Sequence, residues 1–433
     1  MTWKTTNTAK GDNKLYSDAK GVVPSLDLRF ASQKNLNDYM TGQNLITFSR
    51  PVGTNQSPGT YVDENGIIQL SSADTPRFDH NPTTGESLGL LIEESRTNLF
   101  PYSQEFSLAN WGFTGAVPSL NVLNAPDGTL TADKITENLT TGTHQTFKTV
   151  AVSNTPHSFS VFAKASGRTQ IRMVLFDGAS SRTAFFDLLT GATSGELFAT
   201  ALTEELPNGW WRCVLTFTPV ATSSALALIR LVDENGSDQY TGDNTSGVLL
   251  WGAQLETGAF PTSYIPTTGT ALTRSADMAT ISGSNFSSWY NQSEGSVYFK
   301  GGPRLAIPAP NNSYLLTFAG FSANSDQMVL YQNFFFQSVV STRKLGVFGP
   351  SAAISPAGAG VSDNAFGYSL NSVSYSRNTD FQTGTNANPI STAIIKLDLG
   401  LLNSASYLNG HISRLTYWPE RLPDATLQAI TAS

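Results

Sequence analysis

Apolar and polar residues alternate along short segments of residues 98–256, with glycine, asparagine, aspartate and proline in the gaps between them. Successive side chains of an extended strand point to opposite faces, so alternation with a period of two predicts strands that are buried on one face. About eight such strands over roughly 150 residues are typical of a β-sandwich or jelly roll. The clearest predicted strands are Ser158–Lys164, Ile171–Phe176, Trp211–Phe217, Ala225–Arg230 and Val248–Trp251.

Residues 26–97 contain shorter predicted strands joined by tight turns. Gly59–Val62 and Ile67–Leu70 flank the turn Asp63–Gly66, in which the Asn65-Gly66 pair supplies the positive φ angles of a hairpin turn. A second turn is predicted at Asn81–Gly85. These strands are too few to bury their own apolar residues, so we expect this adaptor segment to pack on a neighbouring domain or on another subunit.

Residues 257–284 change in composition, and Pro261 and Pro266 among Thr, Ser and Gly predict an extended linker. Alternation then resumes in residues 285–433, which predicts a second strand-rich domain. Its predicted strands include Gly295–Lys300, Tyr314–Phe318, Val329–Phe336 and Thr392–Leu397.

The end of the chain is predicted to form a hairpin followed by a short helix. Tyr407–Ile412 has Asn409-Gly410 at its centre, which indicates another hairpin turn. Asp424 stands where its side chain would N-cap a helix over Ala425–Ile430. Phe334–Phe336 belongs to a strongly β-prone and nearly uncharged run, so we expect it in a central strand or in a subunit interface.

Residues 1–25 are rich in Thr, Asn, Lys and Gly and show no sustained periodicity. Two interpretations stay open: an arm that docks on a larger partner, which supplies the core, and a frayed end. The whole chain is predicted to be all-β. An N-terminal arm (1–25) and a small β-rich adaptor (26–97) are followed by two β-sandwich (jelly-roll) domains (98–256 and 285–433), which the linker (257–284) joins.

Composition narrows the classes of function. Charged residues make up 14% of the 433 residues, against about 25% in an ordinary domain, which argues against a mainly helical protein. The net charge of −7, without any Lys/Arg cluster, argues against a nucleic-acid partner. No apolar run approaches the roughly 18–20 residues of a membrane span, so membrane insertion is not expected, and Met1–Lys20 lacks an apolar secretion signal. A single cysteine, Cys213, excludes an internal disulfide framework and a zinc site built from several thiolates.

Two parts of the chain resemble known proteins. Tyr61–Asp79 together with Gly89–Leu99 resembles a segment of bacteriophage virion fibre and tail-associated proteins. In those proteins the segment precedes a jelly roll like those of carbohydrate-binding modules, which ends in a stretch similar to Leu250–Glu256 and Thr262–Pro266. Tyr407–Asp424 looks like the closing hairpin and helix of concanavalin A-like (laminin G-type) sandwiches.

The resemblance covers residues 26–280 well and residues 285–433 more loosely. It implies a virion appendage, often a homotrimer and often concerned with host-surface glycans, whose arm would dock on other virion proteins. The function expected from it is that of a non-enzymatic structural and adhesive protein, a tail fibre or tail-tip protein. A fibre or spike that decorates the capsid is the alternative within the virion. A glycan-degrading enzyme with a carbohydrate-binding module is the alternative from another class.

Sugar binding needs exposed aromatic faces and planar polar groups. Arg172 and Phe176 point to the same face of their predicted strand, and an inward arginine would be costly, so together they form a candidate glycan platform. An ordinary outer face, or one covered by a neighbouring subunit, is the alternative. Trp111 is a further candidate, although a wedge in the core is the favoured interpretation for it. Trp211 is the fourth, because Trp210 and Trp211 must project to opposite faces and only one of them is expected in the core.

No catalytic residue, bound metal or other cofactor is predicted. Asp233–Asp238 and Asp243 offer several oxygens but lack the spacing and final glutamate of an EF-hand; turn chemistry explains them, and a structural calcium is left open. Glu93 and Glu94 are adjacent, so on a strand their carboxylates would diverge instead of flanking a bond. Arg96 could pair with one of them as a structural tie. No Gly-x-Ser-x-Gly elbow is present, and we therefore expect a protein that is not an enzyme.

Overall fold

The computed structural model describes residues 15, 16, 19, 21–305, 312–320, 326–333, 337–354, 362–378, 380–386, 388–402 and 406–432. Their secondary structure is almost entirely β, which confirms the all-β prediction. The helices with defined bounds are short: α1 (Phe30–Gln33), α2 (Ser284–Ser287) and α3 (Asp424–Ile430).

The strands of the described residues fall into three stretches of the chain. The first stretch holds β1 (Leu26–Leu28), β2 (Thr47–Ser49), β3 (Gly59–Val62), β4 (Ile68–Ser71), β5 (Phe78–His80), β6 (Ser87–Ile92) and β7 (Arg96–Asn98). The second holds β8 (Gly112–Thr114), β9 (Ala116–Leu123), β10 (Ala132–Glu137), β11 (Thr141–Gly142), β12 (Gln145–Val152), β13 (His157–Ser166), β14 (Gln170–Phe176), β15 (Ser181–Asp187), β16 (Thr193–Leu197), β17 (Ala199–Leu206), β18 (Trp210–Phe217), β19 (Ser223–Val232), β20 (Tyr240–Thr241) and β21 (Gly247–Thr257). The third holds β22 (Leu272–Arg274), β23 (Met278–Ser282), β24 (Glu294–Pro303), β25 (Ser313–Ala319), β26 (Gln327–Gln332), β27 (Ser338–Lys344), β28 (Val347–Ile354), β29 (Ser362–Ser369), β30 (Ser372–Arg377), β31 (Asp380–Thr385), β32 (Lys396–Leu399), β33 (Leu401–Leu402), β34 (Ser406–Tyr407) and β35 (Gly410–Trp418).

The second stretch forms a β-sandwich of two six-stranded antiparallel sheets, the first sandwich. One sheet has the strand order β17-β18-β13-β21-β10-β9 and the other β16-β15-β14-β19-β12-β8. Alternate residues of each strand point inward: Ile171, Met173 and Leu175 of β14 share one buried core with Phe159 and Val161 of β13. The alternation that predicted these strands is therefore the alternation between core and outer face.

The second sandwich combines strands from both ends of the chain. Its larger sheet has the order β31-β30-β29-β24-β35-β6-β5, with β1 also paired to β35. Its other sheet has the order β2-β23-β32-β25-β26-β27-β28. Leu90, Phe299, Phe318 and Tyr417 belong to the buried core between the two sheets.

The adaptor segment supplies four of those strands: β1, β2, β5 and β6. Leu26 of β1 lies opposite Tyr417, and Ile92 of β6 lies opposite Gly410, both on β35. The β3–β4 hairpin instead packs on the first sandwich, where Ile68 joins a separate apolar cluster. The adaptor thus buries its apolar residues against both sandwiches. The five-part division of the chain stays a prediction, and the pairing shows that β1, β2, β5 and β6 share sheets with strands of residues 285–433.

Both turns predicted in the adaptor are confirmed, since β3 pairs with β4 and β5 with β6. The hairpin predicted at Tyr407–Ile412 is wrong. The chain turns at Asn409, where φ is 50°, but β34 pairs with β33 while β35 pairs with β1, β6 and β24. The Asn-Gly pair therefore moves the chain from one sheet to another instead of joining two neighbouring strands.

The closing helix is present, but Asp424 is its first residue and not its cap. The Asp424 carboxylate accepts a hydrogen bond from Arg421 Nη2 at 2.6 Å. Of the predicted strand Thr392–Leu397, only Lys396 and Leu397 lie in an observed strand, β32. Phe334–Phe336 and most of residues 1–25 lie outside the described residues.

A network of five buried charged side chains joins the adaptor to the end of the linker. Arg50 Nη1 donates to Asp277 Oδ1 at 2.9 Å, and Arg77 Nη2 pairs both with Asp277 Oδ2 and, at 2.9 Å, with Glu93 Oε2. Arg274 Nη2 lies 3.5 Å from Glu93 Oε2. We call Arg50, Arg77, Glu93, Arg274 and Asp277 the buried charge network. All five are almost fully enclosed, so each charge depends on its partners for the stabilisation that water would give.

Two backbone N–H groups and the Ser263 hydroxyl also donate to the carboxylates of this network. Glu93 Oε1 accepts the Ser263 N–H at 2.8 Å, and the Ser263 hydroxyl donates to Glu93 Oε2 at 2.7 Å. Asp277 Oδ2 accepts the Glu93 N–H at 2.9 Å. Burial alone would raise the pKa of Glu93, but Arg274, Arg77 and the hydrogen bonds from Ser263 hold it well below its ordinary value of 4.5.

Removing one member of the buried charge network should destabilise the protein strongly. Asp277→Ala leaves three arginines near a single carboxylate, so we expect the free energy of unfolding to fall by about 3–5 kcal/mol. Urea denaturation followed by tryptophan fluorescence measures this. The matched control is Lys34→Ala, which breaks an exposed ion pair with Glu64 and should change stability far less. Equal effects of the two substitutions would contradict the role of the network.

The low pKa of Glu93 makes part of the stability depend on pH. The unfolded chain binds a proton at Glu93 near pH 4.5, whereas the native state binds it only at much lower pH. The stability difference between the wild type and Glu93→Gln should therefore be constant above about pH 5.5 and shrink as the pH falls through 4.5. Urea titrations at several pH values measure it. A difference that stays constant down to pH 3 would contradict this assignment.

Candidate functional site

The outer face of the sheet that contains β14 carries a row of polar and aromatic residues, one from each of four neighbouring strands. Gln145 of β12 lies opposite Arg230 of β19, Arg230 lies opposite Arg172 of β14, and Arg172 lies opposite Phe185 of β15. Asp238, from the loop after β19, contacts both arginines. We call Gln145, Arg172, Phe185, Arg230 and Asp238 the outer-face patch.

Hydrogen bonds fix both arginine side chains of the patch. Arg172 Nη1 and Arg230 Nη1 donate to the same oxygen, Asp238 Oδ2, at 3.0 and 2.8 Å. Arg172 Nε donates to Thr183 Oγ1 and Arg230 Nε donates to Gln145 Oε1, both at 2.9 Å. Among the described residues neither Nη2 group donates to a protein acceptor, and both side chains are about a quarter exposed. Two oriented donor groups are thus left for a ligand.

The charges of the patch are not balanced. Burial would raise the pKa of Asp238, but the hydrogen bond from Arg230 and the two positive charges lower it below its ordinary value. Asp238 is therefore a carboxylate at neutral pH, and two guanidinium groups face one negative charge. The patch carries a net positive charge beside the ring of Phe185, which lies 5.0 Å from the Arg172 guanidinium.

Phe176 lies on the same face of β14 as Arg172, four residues along, and it is 39% exposed. The intervening Val174 points to the same face and is buried. The shared face of Arg172 and Phe176 agrees with the alternation seen in the sequence. Glycan binding by this face stays a prediction.

The two tryptophan candidates lie elsewhere. Trp111 is 3% exposed and packs in the core of the first sandwich against Phe100 and Phe106, so it is a core residue and not a ligand platform. Trp211 is half-buried on β18, in the sheet opposite Arg172, and the chain at Gly191 lies directly against its ring. The structure therefore brings together Arg172 and Phe176 but neither tryptophan.

Sequence reasoning missed four members of the outer-face patch: Gln145, Phe185, Arg230 and Asp238. One signal for Arg230 was available: within Ala225–Arg230 it alternates with the small and apolar core residues and so must face outward. The strand register that sets it opposite Arg172 depends on pairing between distant segments, which no local pattern shows. Asp238 was considered only as one oxygen of a calcium loop.

The acidic loops use their carboxylates locally. Asp233 accepts the N–H groups of Asn235 and Ser237, and Asp243 accepts those of Thr245 and Ser246, at 2.6 to 3.0 Å. No three His, Cys, Asp or Glu side chains in the described ranges are grouped to hold a metal ion. In the same ranges, no helix has the length and apolar character needed to cross a membrane.

The adjacent glutamates diverge, as the sequence predicted. Glu93 points into the buried charge network, while Glu94 Oε1 accepts a hydrogen bond from Arg96 Nε at 2.6 Å. The predicted tie between Arg96 and one of the two glutamates is thereby confirmed.

Comparisons with known proteins yield distant structural similarity only. No family model and no curated protein matches the chain. The CBM40 domain of the IT-sialidase of Ruminococcus gnavus, solved with α2,3-sialyllactose, is 14% identical, with a TM-score of 0.30 over 34% of this chain and 88% of that one. The Trypanosoma rangeli sialidase in complex with sialic acid is 10% identical, with a TM-score of 0.28 over 71% of this chain and 58% of that one. The receptor-binding domain of botulinum neurotoxin mosaic serotype C/D is 9% identical, with a TM-score of 0.29 over 36% of this chain and 39% of that one.

One prediction is corrected by these comparisons. The sequence led us to expect a protein that is not an enzyme, and the sialidases among the similar structures, matched over 70% or more of this chain, contradict that expectation. The exclusion of enzymes is withdrawn. At identities of 8–10% and TM-scores of 0.28 these structures carry no assignment of an activity to this chain.

Proposed function

We propose that the protein is a structural and adhesive component of a bacteriophage particle, a tail fibre or tail-tip protein, that binds host-surface glycans through the outer-face patch. The observation that carries the glycan part is the in-register pair of Arg172 and Arg230, each with an unused Nη2 group. Phe185 and Phe176 add aromatic surface on the same face. Oriented planar donors beside aromatic rings are what sugar hydroxyls and the apolar C–H patch of a pyranose require.

The charge of the patch suggests which glycans it selects. Two guanidinium groups face the single Asp238 carboxylate, so a sugar that carries a carboxylate is attracted where a neutral sugar is not. Arg172 and Arg230 are already held by Thr183 and Gln145, so little side-chain entropy is lost when a ligand binds. We therefore propose an anionic glycan as the ligand of this face.

The phage part of the proposal rests on the resemblance of Tyr61–Asp79 and Gly89–Leu99 to virion fibre and tail-associated proteins. The proposal therefore includes localisation in the virion and contact with other virion proteins through residues 1–25. A homotrimer is part of the same proposal. One structural feature supports assembly: β9 is an edge strand without charged residues, and its Val117, Leu120 and Val122 are 43 to 46% exposed. Pro118 and a bulge opposite β10 blunt backbone pairing at this edge, so its exposed apolar side chains are the part that favours contact with another chain.

Substituting Arg172 should weaken glycan binding without unfolding the sandwich. Arg172→Ala removes a charged donor, so we expect the dissociation constant for the best ligand on a glycan array to rise about tenfold to a hundredfold. Arg172→Lys keeps the charge but loses the planar fork of donors, so its dissociation constant should lie between those of the wild type and Arg172→Ala. Lys134→Ala, which removes one positive charge from the opposite sheet, is the matched control and should bind like the wild type. Unchanged binding by Arg172→Ala would refute the assignment.

The proposed trimer can be tested at the edge strand. Light scattering coupled to gel filtration should give three times the chain mass of 46.4 kDa for the wild type. Leu120→Lys combined with Val122→Lys should give a monomer, because two charges would have to be buried in the interface. Leu370→Lys, at an exposed position of the second sandwich, should leave the trimer intact. A monomeric wild type at micromolar concentration would overturn the proposal.

A further inference from the structure

A cavity of about 390 Å³ lies where four parts of the chain meet: the adaptor, the edge of the first sandwich, the linker and the second sandwich. The volume falls within the range of roughly 300–1,000 Å³ that is typical of small-molecule sites, and such sites are common at domain junctions. We call it the junction cavity. Its ionisable side chains include Asp79 and His80 of β5, Glu204 and Glu205 of β17, Arg304 after β24, and His411 of β35.

Asp79 supplies a carboxylate to the cavity wall. His411 Nε2 donates to Asp79 Oδ2 at 2.8 Å, and the Val62 N–H donates to Asp79 Oδ1 at 2.6 Å. Burial would raise the pKa of Asp79, but the hydrogen bond and charge of His411, with the Val62 N–H, hold it below its ordinary value. The side chain is therefore a carboxylate at neutral pH, and each oxygen retains capacity to accept a further hydrogen bond.

His80 leaves an acceptor without a partner. Its Nδ1 lies 3.0 Å from the Val62 carbonyl oxygen, which can only accept, so Nδ1 carries the proton. In the neutral ring Nε2 is then an acceptor. That atom is buried and has no hydrogen-bond partner among the described residues, while the residue as a whole is 95% enclosed and lines the junction cavity. A buried polar atom of this kind normally has a donor.

The two arginines of the cavity wall are engaged by the same carboxylate, that of Glu204. Arg304 Nη2 donates to both oxygens of Glu204 at 2.6 Å, and Arg212 Nη1 lies 3.6 Å from Glu204 Oε2. Arg212 also donates to Ser160 and to the carbonyl of Thr262. Three acidic residues line the cavity beside these two arginines, so the cavity lacks the excess of positive charge that the outer-face patch offers to an anionic ligand.

We propose that the junction cavity is a second binding site, separate from the outer-face patch, for a small, neutral and hydroxyl-rich ligand such as a hexose-containing saccharide. Hydroxyl groups donate to the acceptors that the wall presents: the Asp79 carboxylate and His80 Nε2. Tyr61 and Tyr264 also line the cavity and provide apolar surface for the C–H groups of a sugar ring. The proposal does not depend on the phage assignment, because it rests on the cavity alone.

The neutral disaccharides lactose, maltose and cellobiose are the probes, with 3′-sialyllactose as the anionic counterpart of lactose. Saturation-transfer NMR on the full chain detects binding, and titration of the best probe gives a dissociation constant. Thr83→Trp places a large ring at the cavity wall and should abolish binding. Thr84→Trp alters the adjacent exposed residue, which does not line the cavity, and should leave the dissociation constant within twofold. Thermal melting confirms that both variants fold.

Two further comparisons identify the site. His80→Phe keeps a ring but removes the unpaired Nε2 acceptor, so it should weaken binding of the neutral probe about tenfold while the variant still folds by thermal melting. Arg172→Ala, which alters the outer-face patch, should bind the neutral probe like the wild type. Absence of binding for all three neutral probes, equal binding by folded Thr83→Trp and the wild type, or tighter binding of 3′-sialyllactose at this cavity would each overturn the proposal.

Discussion

Five charged side chains enclosed between the adaptor and the end of the linker are the constraint on which the arrangement of the molecule depends. Arg77 donates to both Asp277 and Glu93, so it joins segments that are 200 residues apart in the chain. A charge buried in this way is stable only if every partner stays in place. The network therefore holds the linker against the adaptor, and the adaptor in turn supplies strands to the second sandwich. Through Ser263 it also positions one wall of the junction cavity.

The local part of this structure could be predicted from the sequence. Alternation at Ile171–Phe176 predicted both the strand and which side chains share a face, because this pattern depends on the strand alone and not on its partner. Asn65-Gly66 predicted the hairpin turn for the same reason, because turn residues set the φ angles of their own backbone. The all-β class and the outward position of Arg172 and Phe176 follow from such local rules.

What depends on distant pairing could not be predicted. The register that sets Arg172 opposite Arg230 is a property of two strands, and Asn409-Gly410 turns the chain without pairing its flanks. Trp111 was ambiguous because a tryptophan after a polar run can cap a sandwich or enter it; contacts with Phe100 and Phe106 decide the matter. The junction cavity draws its wall from four parts of the chain, so no single local motif reveals it.

The two proposed sites differ in electrostatic character, because the cavity has further acidic residues in its wall and the outer-face patch does not. The outer-face patch lies on one sheet, where Arg172 and Arg230 share a single carboxylate and remain partly exposed. In the junction cavity Arg212 and Arg304 are paired with Glu204, and the acceptors Asp79 and His80 remain. An adhesive protein with both would bind an anionic glycan on its face and a neutral saccharide at the junction. The two specificities are separable because no residue is shared between the sites.

The most direct test of this account is hydrogen exchange of the full chain, measured by mass spectrometry with peptides from β6 and from β24. If the buried charge network makes the adaptor part of the second sandwich, β6 exchanges as slowly as β24, since both flank β35 and open only with that sheet. Exchange of β6 within seconds, while β24 stays protected, would contradict it.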